Sequence, residues 1–508
     1  MELLAPQSDR RVIPRWRDSR ATVASGELDS SGIVSPSEPV SSLDFEHKIA
    51  VWKRERTLES AAELVSSALV HGRIDEALDA ASAILAVKGE VAPAAQALAD
   101  ILLSRHVGVK TAPPSKDHEP DTRATYARIH DLRLSLIDDP RNATAWVDLS
   151  RSYSILGQHR HSAHAMDIAL ALAPTNRFVL RSASRLLVHL DEPDRAHEVL
   201  RRNEQTATDP WLMSAEIAVA AVAEKSPLHL RRARQMLNSA SHAPRHLAEL
   251  ASALATVEMS DGSVRRARQL FRQSLIDPTE NAVAQAGWAS RRIGGIDVAP
   301  ELMAQAQSFE AQAIAAYEEA EWRRVLNNCG EWLGDEPFSS RPAALGSYVA
   351  ITAIDDHALG ERFAMRGLQA NPNDPLLRNN LVVALLNQNR VEDAAAEFAR
   401  IAAPADNKLL TAVLLATEGL LSFRSGAPAI GRSLYREAIK IAGEASARRA
   451  QALAAVHLAR EEMFQKSPEA PAALNEALKY CKDLGASEVF EMLRLILTLQ
   501  SEKDRTSQ

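Results

Sequence analysis

Cysteine is nearly missing from this chain: two among 508 residues, Cys329 and Cys481, far apart in sequence. That usage excludes a disulfide framework and fits a reducing compartment. Aromatic residues are sparse at 5%, glycines number 20, and strand-like alternation is nearly absent. Nowhere do about 18 apolar residues run together, so no membrane span is expected. Met1 to Arg20 lacks the apolar core of a signal peptide. Positive charge is not in excess either. A formal charge of −7 and a pI near 6.1 argue against the strongly basic surface that nonspecific nucleic-acid binding needs. A cytoplasmic location is the expectation.

Catalytic signatures are lacking as well. The sequence has no phosphate-binding Gly loop, no HExxH pair and no G-x-S-x-G elbow. His197-Glu198 opens an H-E pair, but Arg201 stands where the second ligand would be. Along His159, His161 and His164 only the latter two share a helix face, so a solvent-facing polar turn is expected there and not a metal centre. Cys329 reads as a small buried hydrophobe. No catalytic, cofactor-binding or metal-binding residue is assigned, no cofactor is expected, and the chain is not expected to be an enzyme.

What is present is Ala and Leu within a 46% hydrophobic composition. Both favour helix, since Ala loses no side-chain entropy and Leu little. Residues 1–44 are expected to be a disordered tail, rich in Ser, Pro and Gly, with one dense island from Arg10 to Arg17. Residues 45–108 read as an N-terminal helical segment, with one helix running from Asp44 or Glu46 toward Val70 and a second after a turn at His71-Gly72-Arg73. Residues 109–121 read as a linker, 122–445 as a helical array, and 446–508 as capping helices with a short tail.

The array carries a register. Trp146, Leu149, Tyr153, Gly157, Met166, Ala169 and Pro174 stand at fixed offsets within residues 143–176. They resemble the tetratricopeptide repeat, a 34-residue helix–turn–helix unit with Trp, Leu, Tyr, Ala and Pro landmarks. Ser150 and Ser162 depart from that pattern, replacing the usual Gly and Ala. Further units read as 177–210, 211–242, 248–279, 306–339, 341–374, 375–408 and 412–445, with a degenerate one at 58–91 and an irregular stretch at 280–305. The resemblance implies an all-α, right-handed solenoid of stacked hairpins, because one such unit cannot bury its apolar face alone. The apolar helix expected at 487–500 should pack back onto the array.

In the family, positions 2, 5, 9 and 12 of each first helix line a concave groove. Carried over, they are Thr144, Val147, Arg151 and Ser154 in one unit, and Phe178, Arg181, Arg185 and Val188 in the next. Arg151, Arg181 and Arg185 would form a guanidinium cluster suited to carboxylates; a solvated face balanced by Asp148 and Asp191 is the other reading. The Lys/Asn clamp of chaperone-binding members is not assembled, since Asn379 and Asn380 have Leu345, Val349, Val413 and Thr417 for neighbours. The tail's Arg11, Ile13, Arg15, Trp16 and Arg17 read as a docking motif with an aromatic anchor, for an acidic protein surface or for the molecule's own groove. A solvated tail and stacking on nucleic acid are the alternatives. The function this implies is a non-enzymatic scaffold or adaptor that takes a peptide or helix of another protein, possibly acidic, with nucleic acid an unlikely partner. The alternative is a regulatory sensor that binds a small peptide or effector and modulates an associated activity.

Overall fold

The computed structural model describes residues 10–19, 42–71, 73–87, 91, 93–106, 122–239, 242–402, 407–482 and 484–506. Among these, every regular element is helical and no strand occurs. The chain divides into two compact units, one spanning Ile13–Asn238 and the other Ser239–Gln508 together with the chain's start through Val12.

In the first unit, the hairpins Ala143–Ile155 with His159–Leu172, Arg177–His189 with Pro193–Arg201, and Pro210–Val222 with Leu230–Asn238 realise three of the expected repeats. Their starts are set by capping. Asn142, Asn176 and Asp209 each accept backbone N–H groups of the first turn, satisfying donors that a helix end leaves orphaned. The caps recur at intervals of 34 and 33 residues, so the sequence period is also the structural one. The turn between the two helices needs a left-handed residue: Gly157 has φ 67°, yet Asp191 and Glu224 take the same place at 61° and 55°. The two departures in the 143–176 unit compensate each other. Ser150 Oγ donates to the Ser162 carbonyl at 2.8 Å and Ser162 Oγ to the Ser150 carbonyl at 2.9 Å, both fully buried. A separate core around Phe45, Trp52, Leu64, Ile84 and Leu102 closes the earlier helices.

Two expectations change here. The helix placed from Asp44 or Glu46 to Val70 is two helices, Ser42–Glu55 and Leu58–His71. Arg56 enters the left-handed region at φ 51°, and Thr57 and Ser60 cap the second helix reciprocally. The disordered tail does not extend through residues 10–19, which are packed against the fold. A segment-wide Ser/Pro/Gly count dilutes an island whose Arg10, Val12, Pro14 and Trp16 are all buried. The remainder of 1–41, the Gly72 turn and the linker 109–121 lie outside the described residues.

The second unit continues with Pro244–Ser260 and Val264–Ser274, and then Glu280–Ile293 with the short Pro300–Gln305. The stretch 280–305 is therefore a hairpin and not irregular. Residues 280–289 are buried, and the two helices are joined by residues 294–299, which Gly294 and Gly295 open at φ 59° and 67°. Phe309–Glu318 with Trp322–Asp335, Ser340–Thr352 with His357–Ala370, Pro375–Asn387 with Val391–Phe398, and Lys408–Arg424 with Pro428–Glu444 follow the expected tiling. Gly419 and Gly431 let the last pair approach closely: a Cβ at Gly431 would lie 2.5 Å from Phe423 Cδ2 and 2.7 Å from the Gly419 carbonyl oxygen. Arg448–Phe464 and Ala470–Cys481 then lead to Ser487–Thr506, which packs back as expected. Its Val489, Met492, Leu493 and Ile496 are buried. Buried Glu488 accepts from the Tyr348 hydroxyl at 3.2 Å and pairs with Arg449 at 3.0 Å. Among the described residues no helix is long and apolar enough to cross a membrane. Both cysteines are free and buried.

Candidate functional site

In each unit, side chains of first helices contact the part of segment 10–19 that belongs to that unit. Along this segment burial alternates: Arg10, Val12, Pro14 and Trp16 are buried, while Arg11, Ile13, Arg15 and Arg17 are half-buried. Such a period of two is what an extended chain shows when one side lies against a surface.

In the second unit the contact is a socket for one guanidinium. Arg10 Nε donates to Glu310 Oε1 at 2.9 Å and Nη2 to Glu310 Oε2 at 2.8 Å. Nη1 reaches Gln285 Oε1 at 2.6 Å and the Asn281 carbonyl at 3.5 Å, and Nη2 reaches Asn281 Oδ1 at 2.9 Å. All five N–H bonds of the fork thus have an acceptor. Gln285 also donates back to the Arg10 carbonyl at 2.9 Å. Arg10 is 6% exposed and Glu310 3%, so the pair is desolvated and its fit depends on these hydrogen bonds. The acceptors come from Glu280–Ile293 and Phe309–Glu318, and the preceding first helix, Pro244–Ser260, supplies Glu249 and Thr256 behind them.

In the first unit the contacts are to main chain. Arg151 Nε donates to the Trp16 carbonyl at 3.0 Å. Asp148 accepts from Ser19 N at 2.8 Å and from Ser19 Oγ at 2.7 Å, with Arg128 at 3.1 Å on the same carboxylate. Burial pushes the Asp148 carboxyl above its ordinary value, and Ser19 and Arg128 oppose that shift. Trp16 is fully buried, and Ile13 packs with Leu180, Leu187 and Leu212.

The residues assigned from sequence fall into two sets. Arg151 meets the segment. Val147 and Phe178 are buried core, and Thr144 Oγ1 donates to the Asn142 cap at 2.8 Å. Arg181, expected to line the groove or a solvated face, is 5% exposed, lies 4.8 Å over the Trp211 ring and reaches its carbonyl at 3.4 Å. Arg185 is half-buried and its charge, after burial itself, helps hold His189 down to about 3. In the docking motif Trp16 is the buried anchor, whereas Arg10, left out of the assigned set, carries the most saturated contact. Asn379 and Asn380 are engaged by Thr417 and Ser347 at 2.7 and 2.9 Å, with no basic group in that exchange.

Part of the socket and its support was within reach of the groove rule. Glu249 and Thr256 are positions 2 and 9 of the 248–279 unit, and Glu310 is position 5 of 306–339. Asn281 is position 2 only if 280 begins a unit, which the double glycine and Pro300 conceal. Nothing in the sequence marks Gln285. Among the described residues no group of three or more His, Cys, Asp or Glu is placed to hold a metal ion.

No protein-family profile matches the chain, and no curated protein does. Solved structures with a similar arrangement of helices include the APC/C hetero-tetramer Cut9–Hcn1, at 12% identity over 89% of this chain and 92% of that one, with a TM-score of 0.37. A human IFIT1 dimer with PPP-AAAA matches at 12% identity over 74% of this chain and 95% of that one, TM-score 0.36. Yeast Tom70 matches at 11% over 88% and 97%, TM-score 0.30. The helical-repeat assignment stands on the hairpins, caps and 34-residue register of this chain itself.

Proposed function

We propose that the protein is a non-enzymatic interaction scaffold whose first-helix faces receive an extended polypeptide segment of a partner. The single observation that carries this reading is segment 10–19. A stretch with no regular secondary structure over residues 10–18 lies against first-helix side chains, with alternate residues buried and its carbonyl and amide groups read by Arg151, Asp148 and Gln285. A surface that reads main chain and pockets alternate side chains is the chemistry of extended-peptide recognition. Burial of the apolar positions supplies affinity, and the charged contacts supply register.

A photo-crosslinking amino acid placed at Arg151, compared with one at exposed Arg160 on the second helix of the same hairpin, tests this. A partner polypeptide should crosslink from position 151 and not from 160. Crosslinks from 160 alone would place binding on the outer helices and refute the reading.

A further inference from the structure

The contacts of Arg10 carry a narrower conclusion, which rests on the reading just given. We infer that Asn281, Gln285 and Glu310 form a recognition site for an arginine side chain of a partner segment, and that Arg10 is its intramolecular stand-in.

The geometry is matched to a guanidinium and to no smaller cation. Five acceptor atoms or groups face five N–H bonds, two of them in the parallel fork to Glu310 that only a planar donor pair can fill. A lysine ammonium has three donors and would leave acceptors of the socket unmet.

The socket is also held by neighbours other than its occupant. Gln285 Nε2 is fixed by Thr256 Oγ1 at 2.9 Å, and Asn281 Nδ2 by Glu249 Oε1 at 3.3 Å. Glu310 Oε1, which accepts from Arg10 Nε, is also paired with Arg341 at 2.6 Å. When Arg10 leaves, the acceptors therefore keep their orientation, and Glu310 keeps a counter-charge. An incoming arginine meets a formed site. Gln285 adds a main-chain requirement, since it donates to the carbonyl of the same residue whose side chain it accepts. The partner chemistry that fits is an arginine followed two residues later by an apolar side chain, as Val12, 1% exposed, follows Arg10 here. Because the stand-in is covalently attached, its effective concentration is on the order of millimolar. A partner must exceed that competition before it occupies the site.

The test uses full-length protein and a fluorescent peptide of residues 8–20 read by anisotropy. The receptor is the double variant Arg10→Ala/Trp16→Asp, which dislodges the internal segment, beside the unaltered chain. The peptide should bind the double variant at least tenfold more tightly than the unaltered chain. An Arg10→Ala peptide should lose at least tenfold, and an Arg10→Lys peptide should fall between them. Equal affinity of the Arg and Ala peptides would overturn the arginine site while leaving the groove reading intact. No binding of any peptide to a double variant with unchanged helix content would refute both. A double variant that loses its fold would make the segment an integral strap, and that outcome overturns the stand-in.

Discussion

The Arg10 pair allows a quantitative prediction for the protein as it stands. Arg10→Ala removes all five guanidinium donors of Arg10 from the socket and leaves Glu310 buried. Severing a buried ion pair costs about 3–5 kcal/mol. Arg341 remains on Glu310 at 2.6 Å and is 39% exposed, so part of the carboxylate's compensation survives and the loss falls to about 2–4 kcal/mol. At about 1.4 kcal/mol per tenfold, the undocked population of the segment rises roughly 30- to 700-fold. Native-state trypsinolysis reads this directly at the Arg11–Val12 bond, because cleavage tracks the open fraction when opening and closing are fast. Cleavage there should accelerate by that factor in Arg10→Ala. In Arg10→Lys, which keeps the charge but offers three donors, it should rise by roughly tenfold. A change below about threefold, with helix content unchanged, would show that the socket contributes nothing to docking.

Other consequences follow from the packing. Gly431→Ala drives a Cβ against the Gly419 carbonyl at 2.7 Å, a contact with backbone that cannot rotate away, and should cost about 1–3 kcal/mol in a urea melt. Gly330→Ala, a helical glycine with nothing within 4 Å, should instead stabilise by about 0.5–1 kcal/mol; the same sign for both would discredit the packing argument. Burial, with Arg460, His357 and Arg424 nearby, pushes His457 down to about 3. The fold therefore holds it neutral, and stability present above the ordinary histidine value is lost as pH falls from 6.5 toward 3. The slope is about 1.4 kcal/mol per pH unit, or about 2 kcal/mol at pH 5. His457→Asn should flatten the pH dependence of the urea midpoint over that window, and an unchanged profile would assign the acid sensitivity elsewhere. Glu488→Gln strands Arg449 and should weaken docking of Ser487–Thr506 by about 1–3 kcal/mol, seen as faster amide exchange in residues 487–496 with protection elsewhere retained.

How much of this was legible in sequence differs between fold and site. The repeat register at 143–176 predicts the hairpin found there because local capping and helical periodicity act within a few residues. Even the two serines that break the pattern keep the hairpin, since they bond to one another. The left-handed turn position is harder to read, because Asp191 and Glu224 occupy it as Gly157 does. At the site, the groove rule names Arg151, Glu249, Thr256 and Glu310 but also names Val147, Phe178 and Arg181, which the fold buries. Offsets along one helix say which face a residue occupies; they do not say whether a neighbouring element covers that face.

A helical chain, its hairpin period and its capped starts all follow from interactions between residues near one another along the chain. That Arg10 meets Glu310, 300 residues away, and that Trp16 is interior came from the packing of distant parts of the chain. Those pairings depend on which surfaces stacking brings together, and charge or hydrophobicity read along a segment carries no record of a partner so distant.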